Sequence, residues 1–130
     1  MLLLDTNVLL ALSIQPEVIN DDVRARLSDL SMRLVVSAAS AWEIAIKTRR
    51  GKLPGGQRLV DSWGQSLLDL QADSLAIDSE DAIRAGSLEW SHRDSFDRML
   101  VAQALRYNYA LVTRDAKIID ARIATTIDTR

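Results

Sequence analysis

The sequence predicts an α/β domain of three layers, with a central, mainly parallel sheet of four to five strands sandwiched between helices. Two observations predict it. Short continuous apolar runs, each bounded by polar residues, recur along the chain and read as strands buried on both faces. Between them lie longer segments whose apolar residues are spaced by three and four, the signature of amphipathic helices. Strands alternating with helices imply parallel pairing, right-handed crossovers and helices on both faces of the sheet.

The elements follow in order. Leu2 to Leu4 is the first apolar run, and a helix begins at Thr6-Asn7-Val8 directly after Asp5. Helical spacing covers Val18 to Leu30, then the run Leu34-Val35-Val36 forms a second strand. A helix is predicted over Ala38 to Arg49, and Arg50-Gly-Lys-Leu-Pro-Gly-Gly-Gln57 reads as an exposed loop because glycines and a proline interrupt two helical patterns. Helical spacing returns over Leu59 to Leu70, with a strand at Leu75-Ala76-Ile77 and two further helices at Ala82 to Trp90 and Phe96 to Leu105. Ala110-Leu111-Val112-Thr113 is the fourth strand, and a short last one is expected at Ile123 to Ile127.

With 130 residues, 48% of them apolar, the chain is expected to form one domain over residues 1–130 that buries enough core to fold without staples. There is no cysteine, which removes disulfides, thiolate metal sites and a cysteine nucleophile, and suits a reducing cytoplasm. A metal would have to sit on oxygen or on His92. The apolar N-terminal stretch is cut at once by Asp5 and lacks a basic flank, so no signal peptide is expected, and no run reaches the roughly 18 to 20 apolar residues of a membrane helix. A net charge of −2 argues against indiscriminate nucleic-acid binding, so any such surface must come from local clustering.

Ligands of open α/β sheets bind beyond the carboxyl ends of the strands. Asp5 directly follows the first strand and Asp115 follows the fourth, so the two acids share one rim if these strands are parallel. Glu43 and Asp97 fall near the starts of helices that face the same rim. Carboxylates converging there repel one another, and neutralisation requires raised pKa values or a bound cation. A hard divalent ion such as Mg²⁺ or Mn²⁺ prefers oxygen ligands and keeps several waters, which suits a pocket of Asp and Glu. Each acid also admits a structural role. Asp5 and Asp115 sit where an N-cap is expected, Glu43 is one helical turn from Lys47, and Asp97 is close to Arg93 and Arg98 in a helix's first turn.

The spans Leu3-Leu-Asp-Thr-Asn-Val-Leu9, Ser40-Ala-Trp-Glu-Ile-Ala-Ile-Lys47, His92-Arg-Asp-Ser-Phe-Asp-Arg-Met-Leu-Val-Ala-Gln103 and Leu111-Val-Thr-Arg-Asp115 resemble, in order and spacing, the four signature blocks of PIN-domain ribonucleases. In particular the chain resembles the VapC-type toxins of type II toxin–antitoxin modules over nearly its whole length. The resemblance implies a Mg²⁺- or Mn²⁺-dependent endoribonuclease that hydrolyses RNA phosphodiester bonds. It makes Asp5 and Asp97 the principal metal ligands, with Glu43 and Asp115 completing the catalytic pocket. Where the family often has Pro in the third block this chain has Ser95, a departure that alters the turn and removes no acid. Asp94 competes for the acidic role in that block and reads as a helix-cap or loop residue. The resemblance also implies a homodimer and a small VapB-like antitoxin that covers the acidic pocket and an adjacent apolar groove.

From Lys47 to Arg58 there are five basic residues and no acidic one. Lys47, Arg49, Arg50 and Lys52 are the candidates for contact with an RNA backbone, against the alternative of a solvated helix end favoured by the dipole. His92 has no second His or Cys beside it and is expected to be structural, or a hydrogen-bonding neighbour of the third block. Trp42, Trp63 and Trp90 sit in apolar helical patterns and are expected in core or interface. Three other readings compete. An aspartate-nucleophile phosphatase would want a second acid where Asn7 stands. A housekeeping RNA-processing nuclease keeps the chemistry without the antitoxin, and a non-catalytic RNA-binding domain would leave the acids as helix caps.

Overall fold

The computed structural model describes residues 1–130 and has the predicted architecture, with five strands, all parallel. The strands β1 (Leu2–Leu4), β2 (Leu34–Ser37), β3 (Ala72–Leu75), β4 (Ala110–Thr113) and β5 (Thr126–Asp128) lie in the order β3-β2-β1-β4-β5. The helices are α1 (Thr6–Ile14), α2 (Asp21–Ser28), α3 (Ala38–Arg49), α4 (Gly56–Asp61), α5 (Trp63–Asp69), α6 (Ser79–Ser87), α7 (Ser95–Tyr107) and α8 (Ala116–Ala121).

Alternation along the strands assigns the helices to layers. Leu2 and Leu4 of β1, Leu34 and Val36 of β2 and Val112 of β4 point to one face, where they cluster with Val8 and Leu9 of α1, Val23 of α2, Ile44 of α3, Leu59 of α4 and Leu67 of α5. Leu3, Val35 and Leu111 point to the other face and meet Leu100, Val101 and Ala104 of α7 and Ile118 of α8. Both faces of the central strands are therefore buried, which explains why those strands read as continuous apolar runs. Each fully buried Leu or Val contributes about 1.5 to 3 kcal/mol.

The chain runs outward from β1 through β2 to β3 and then returns to the opposite side of β1 to lay down β4 and β5. The direction reverses between β1 and β4, so the crevice of this sheet opens beyond the carboxyl ends of those two strands. No helix is long and apolar enough to cross a membrane.

Several expected boundaries shift, for local reasons. The third strand is Ala72–Leu75 instead of Leu75 to Ile77: it is an edge strand, half exposed, and Asp73 on it pairs with Arg33. Ile77, the apolar residue that drew the expected strand forward, lines a groove between α3 and α6. The helix expected from Val18 begins only at Asp21, after a 3-10 turn at Pro16–Val18, because Asn20 caps it by accepting from the Val23 amide at 2.9 Å. The helical pattern over Leu59 to Leu70 is broken at Ser62, whose hydroxyl donates to the Arg58 carbonyl. Asp78 and Asp81 form a reciprocal capping box that starts α6 three residues before the predicted Ala82. The last strand is Thr126–Asp128.

Candidate metal centre

Asp5 lies at the carboxyl end of β1, in the N-cap position of α1, yet its side chain caps no backbone amide. Its Oδ2 instead accepts the hydroxyl hydrogen of Thr113, across the crevice on β4, at 2.6 Å. The Asp5 amide donates to the Val112 carbonyl at 2.9 Å, so the two strand ends are tied by backbone as well. Asp5 is 3 % exposed and no cationic side chain pairs with it. Burial pushes its carboxyl up to about 6, against the lowering effect of the Thr113 hydrogen bond, and the charges of Asp97 and Glu43 push in the same direction as burial.

Glu43 is brought to this place by the start of α3. Ser37 at the end of β2 caps α3 by accepting from the Ala39 amide at 3.0 Å, and Ser40 in its first turn hydrogen-bonds Thr6 of α1 at 2.9 Å in a buried contact. One turn further on, Glu43 is buried, with its Oε2 accepting from the Lys47 ammonium at 2.6 Å. The expected i,i+4 pair is present, but its acid is not a solvated one. The Glu43 hydrogen bond raises the Lys47 ammonium above its ordinary value, with smaller contributions from Asp94 and Asp97.

Asp97 stands in the first turn of α7 and Asp94 caps that helix, its Oδ1 accepting from the amides of Phe96 at 2.9 Å and Asp97 at 3.0 Å. Asp94 is thus the helix cap that the sequence suggested, and the Asp97 side chain caps no amide. Asp97 pairs with neither Arg93 nor Arg98; its Oδ2 lies 2.7 Å from Nε2 of His92. Burial raises the Asp97 carboxyl above its ordinary value, partly offset by the His92 hydrogen bond and reinforced by Asp94 and Asp115. Asp115 caps α8, accepting from the Lys117 amide at 2.9 Å, while its own amide donates to the Thr113 hydroxyl at 3.0 Å.

Thus Asp97 and Glu43 both act on Asp5 electrostatically in the crevice, and Asp115 acts on Asp97. No group of three or more His, Asp or Glu side chains is arranged to ligate a single ion directly. The donor set nevertheless fits Mg²⁺ or Mn²⁺: it is all carboxylate, Asp5 and Glu43 are buried while Asp97 and Asp115 are partly open, Asp5 lacks a compensating cation, and such ions are commonly held by one or two carboxylates with the rest of the shell water. Sequence reasoning assigned no role to Thr6, Ser40 and Thr113. Hydroxyls after strands and at helix starts are common caps, and only the fold reveals that these three tie the rim together.

The residues 2–124 match the PIN-domain family. The chain belongs to the PIN-domain family. Solved structures with the same fold include a chain of the VapBC2 complex of Rickettsia felis bound to a promoter DNA fragment, 14% identical, with 99% of this chain and 98% of that one covered at a TM-score of 0.73. The FitAcB structure from Neisseria gonorrhoeae is 22% identical, with 99% of this chain and 98% of that one covered at a TM-score of 0.69. A toxin–antitoxin complex of Klebsiella pneumoniae is 20% identical, with 100% and 98% covered at 0.69. No functionally curated protein matches this PIN chain by sequence.

The remaining candidates lie at different distances from the acids. Lys47 is within the acidic neighbourhood through Glu43. Arg49, Arg50 and Lys52 are exposed and form no ion pair, and a rise of 1.5 Å per residue carries Arg50 roughly 10 Å along α3 from Glu43. Two grooves border the site. One, about 470 Å³, runs from Asn7 and Arg114 at the rim to Ile14, Val18 and Leu53. The other, about 240 Å³, is lined by Trp42, Phe96, Ile77 and Met99. Trp42 is 59% exposed and edge-on to Phe96 at 5.1 Å, a surface position, whereas Trp63 and Trp90 pack against the two cores as expected.

Proposed function

We propose that this PIN chain is a divalent-metal-dependent endoribonuclease acting in the cytoplasm as the toxin of a VapBC-type toxin–antitoxin module, with residues 1–130 working as one domain. The observation that carries the reading is Asp5: a buried carboxylate at the reversal point of the sheet, without a cation, beside two more acids. Asp5 and Asp97 would hold Mg²⁺ or Mn²⁺, with Glu43 and Asp115 completing the pocket. Bound there, the ion would supply a water activated for attack and positive charge for the phosphodiester in its transition state.

The chain's own residues have separable tasks in this reading. Thr113 holds one oxygen of Asp5 and so fixes the direction of the other. The buried Thr6–Ser40 contact keeps α1 and α3 in register, which sets Glu43 beside Asp5. Asp94 and Asp115 orient the first turns of α7 and α8. Lys47 is the cation nearest the pocket and would approach the scissile phosphate; Arg49, Arg50 and Lys52 would hold RNA further along, through salt-sensitive contacts. The toxin reading is supported by the toxin–antitoxin complexes among the structures of this fold. A small antitoxin would cover the acidic pocket and the apolar groove opening beside Asn7 and Arg114. The toxin would be a homodimer.

The test is incubation of antitoxin-free protein with a mixed small-RNA pool under Mg²⁺, Mn²⁺ or EDTA, alongside folded Asp5→Asn and Asp97→Asn variants. Endonucleolytic cleavage that requires the ion and vanishes in both variants is expected. Folded protein that neither binds Mn²⁺ nor cuts RNA would sink the reading.

A further inference from the structure

The third block contains the chain's sole histidine, expected to be structural or a hydrogen-bonding neighbour within that block, and the structure gives it a particular partner, Asp97. His92 and Asp97 are both largely buried, with side-chain exposures of 16% and 13%, and Nε2 lies 2.7 Å from Oδ2. An ionised carboxylate only accepts, so Nε2 carries the hydrogen and donates it. Oδ1 of Asp97 accepts no hydrogen bond from the protein, which leaves it as the oxygen open to a ligand.

The segment that presents His92 has no regular structure of its own between α6 and α7. It is fastened by Arg98, the residue next to Asp97. The Arg98 guanidinium donates to the carbonyls of Trp90 at 2.6 Å, Leu88 at 2.8 Å and His92 at 3.0 Å, while its Nε reaches the Ala85 carbonyl at 2.9 Å. The Trp90 ring packs against the imidazole with centroids 4.7 Å apart. One helical turn therefore both carries the acid and holds the strap that carries its hydrogen-bond donor. A side chain used only to fill space would not need its polar edge aimed at a carboxylate from so constrained a loop.

We propose that His92 is a positioning residue: its Nε2–H fixes the Asp97 carboxylate so that Oδ1 faces the cation-binding crevice. The proposal rests on Asp97 being a ligand of the divalent ion. Groups that orient metal ligands in this way typically alter affinity 10- to 100-fold when removed.

The test compares Mn²⁺ affinity by titration calorimetry, without RNA, for wild type, His92→Gln, His92→Leu and Asp97→Asn, each as the full chain. Gln retains an N–H donor, whereas Leu fills similar space without one. His92→Leu should bind at least about 10-fold more weakly, Gln should stay close to wild type, and Asp97→Asn should lose most binding. Wild-type affinity in His92→Leu with loss in Asp97→Asn would overturn the role of His92 alone. Wild-type affinity in both would overturn Asp97 as a ligand, and the proposal with it. A second readout needs no variant that must fold. With a single histidine, the long-range ¹H–¹⁵N spectrum of the native chain should show a protonated Nε2 that shifts on saturation with Mg²⁺; an Nδ1–H tautomer, or no response to Mg²⁺, would refute the proposal.

Discussion

Asp81 and Asp5 are both sealed from solvent, at 0 % and 3 % exposure, yet their surroundings are opposite in charge. Asp81 receives hydrogen bonds from Arg106 at 2.8 Å, Gln103 at 3.0 Å and the Asp78 amide at 3.2 Å. Gln103 in turn accepts from Ser37 at 2.6 Å, so this network joins α6, α7 and the start of α3. Asp5 receives one hydroxyl hydrogen and faces two other acids. A buried acid whose charge is matched holds a fold together. A buried acid left unmatched is a cost, retained where a cation is to be bound.

The sharpest way to break that distinction is to remove each charge and measure both activity and stability. If the proposed nuclease reading holds, Asp5→Asn should lower RNA cleavage by roughly 10³-fold, because it would remove a principal ligand of an ion that supplies several kcal/mol of charge stabilisation. Its fold should be intact by circular dichroism. Asp81→Ala should do the reverse, costing about 2 kcal/mol in urea unfolding because Gln103 and the Asp78 amide lose a buried acceptor, while Arg106 keeps Asp78 and Glu80. Any cleavage it retains should have an unchanged metal requirement. Equal effects of the two substitutions on stability would dissolve the contrast.

The contrast also has a pH signature. Asp5 has a carboxyl raised from 3.8 to about 6, so between those values the folded protein holds a proton that the unfolded chain has released. Stability contributed by Asp5 therefore falls as pH rises from about 4 to about 6 and stays lower above it, by up to about 3 kcal/mol. Asp5→Asn removes this burden. The variant should match wild type near pH 4 and exceed it at pH 7.5, and saturating Mg²⁺ should narrow the gap by stabilising wild type alone. Thermal denaturation of both proteins across that range, with and without Mg²⁺, measures it; a gap independent of pH would show that Asp5 is not the titrating group.

The same contrast explains what could be read from the sequence. The sheet was legible because β1, β2 and β4 are buried on both faces and show as unbroken apolar runs, and α3 because its spacing and its Ser37 cap agree. The edge strand β3 was misplaced because none of its residues is fully buried, so it shows no apolar run, and it carries Asp73, which pairs with the sequence-distant Arg33. The four acids were legible as residues at strand ends and helix starts. The Glu43–Lys47 pair was legible too, one helical turn apart, but the hydroxyls that tie the rim were not, since Thr113 lies 108 positions from Asp5 and Ser40 lies 34 from Thr6. His92 was legible as a hydrogen-bonding neighbour of the third block, but a lone histidine carries no metal-site pattern, so its partner Asp97 was not singled out.

Asp115 falls between the two kinds of acid, since it caps α8 and also acts on Asp97 through its charge. Asparagine caps a helix as well as aspartate does, so Asp115→Asn separates the roles. Unfolding stability should be unchanged in that variant, whereas Asp115→Ala should lose about 1 kcal/mol with the cap. If the charge also serves the ion, both variants should show the same loss of Mn²⁺ affinity, smaller than that of Asp5→Asn because Asp115 acts on the pocket through Asp97. Wild-type affinity in Asp115→Asn, with stability lost only in Asp115→Ala, would place Asp115 with Asp94 as a cap and reduce the working pocket to Asp5, Glu43 and Asp97.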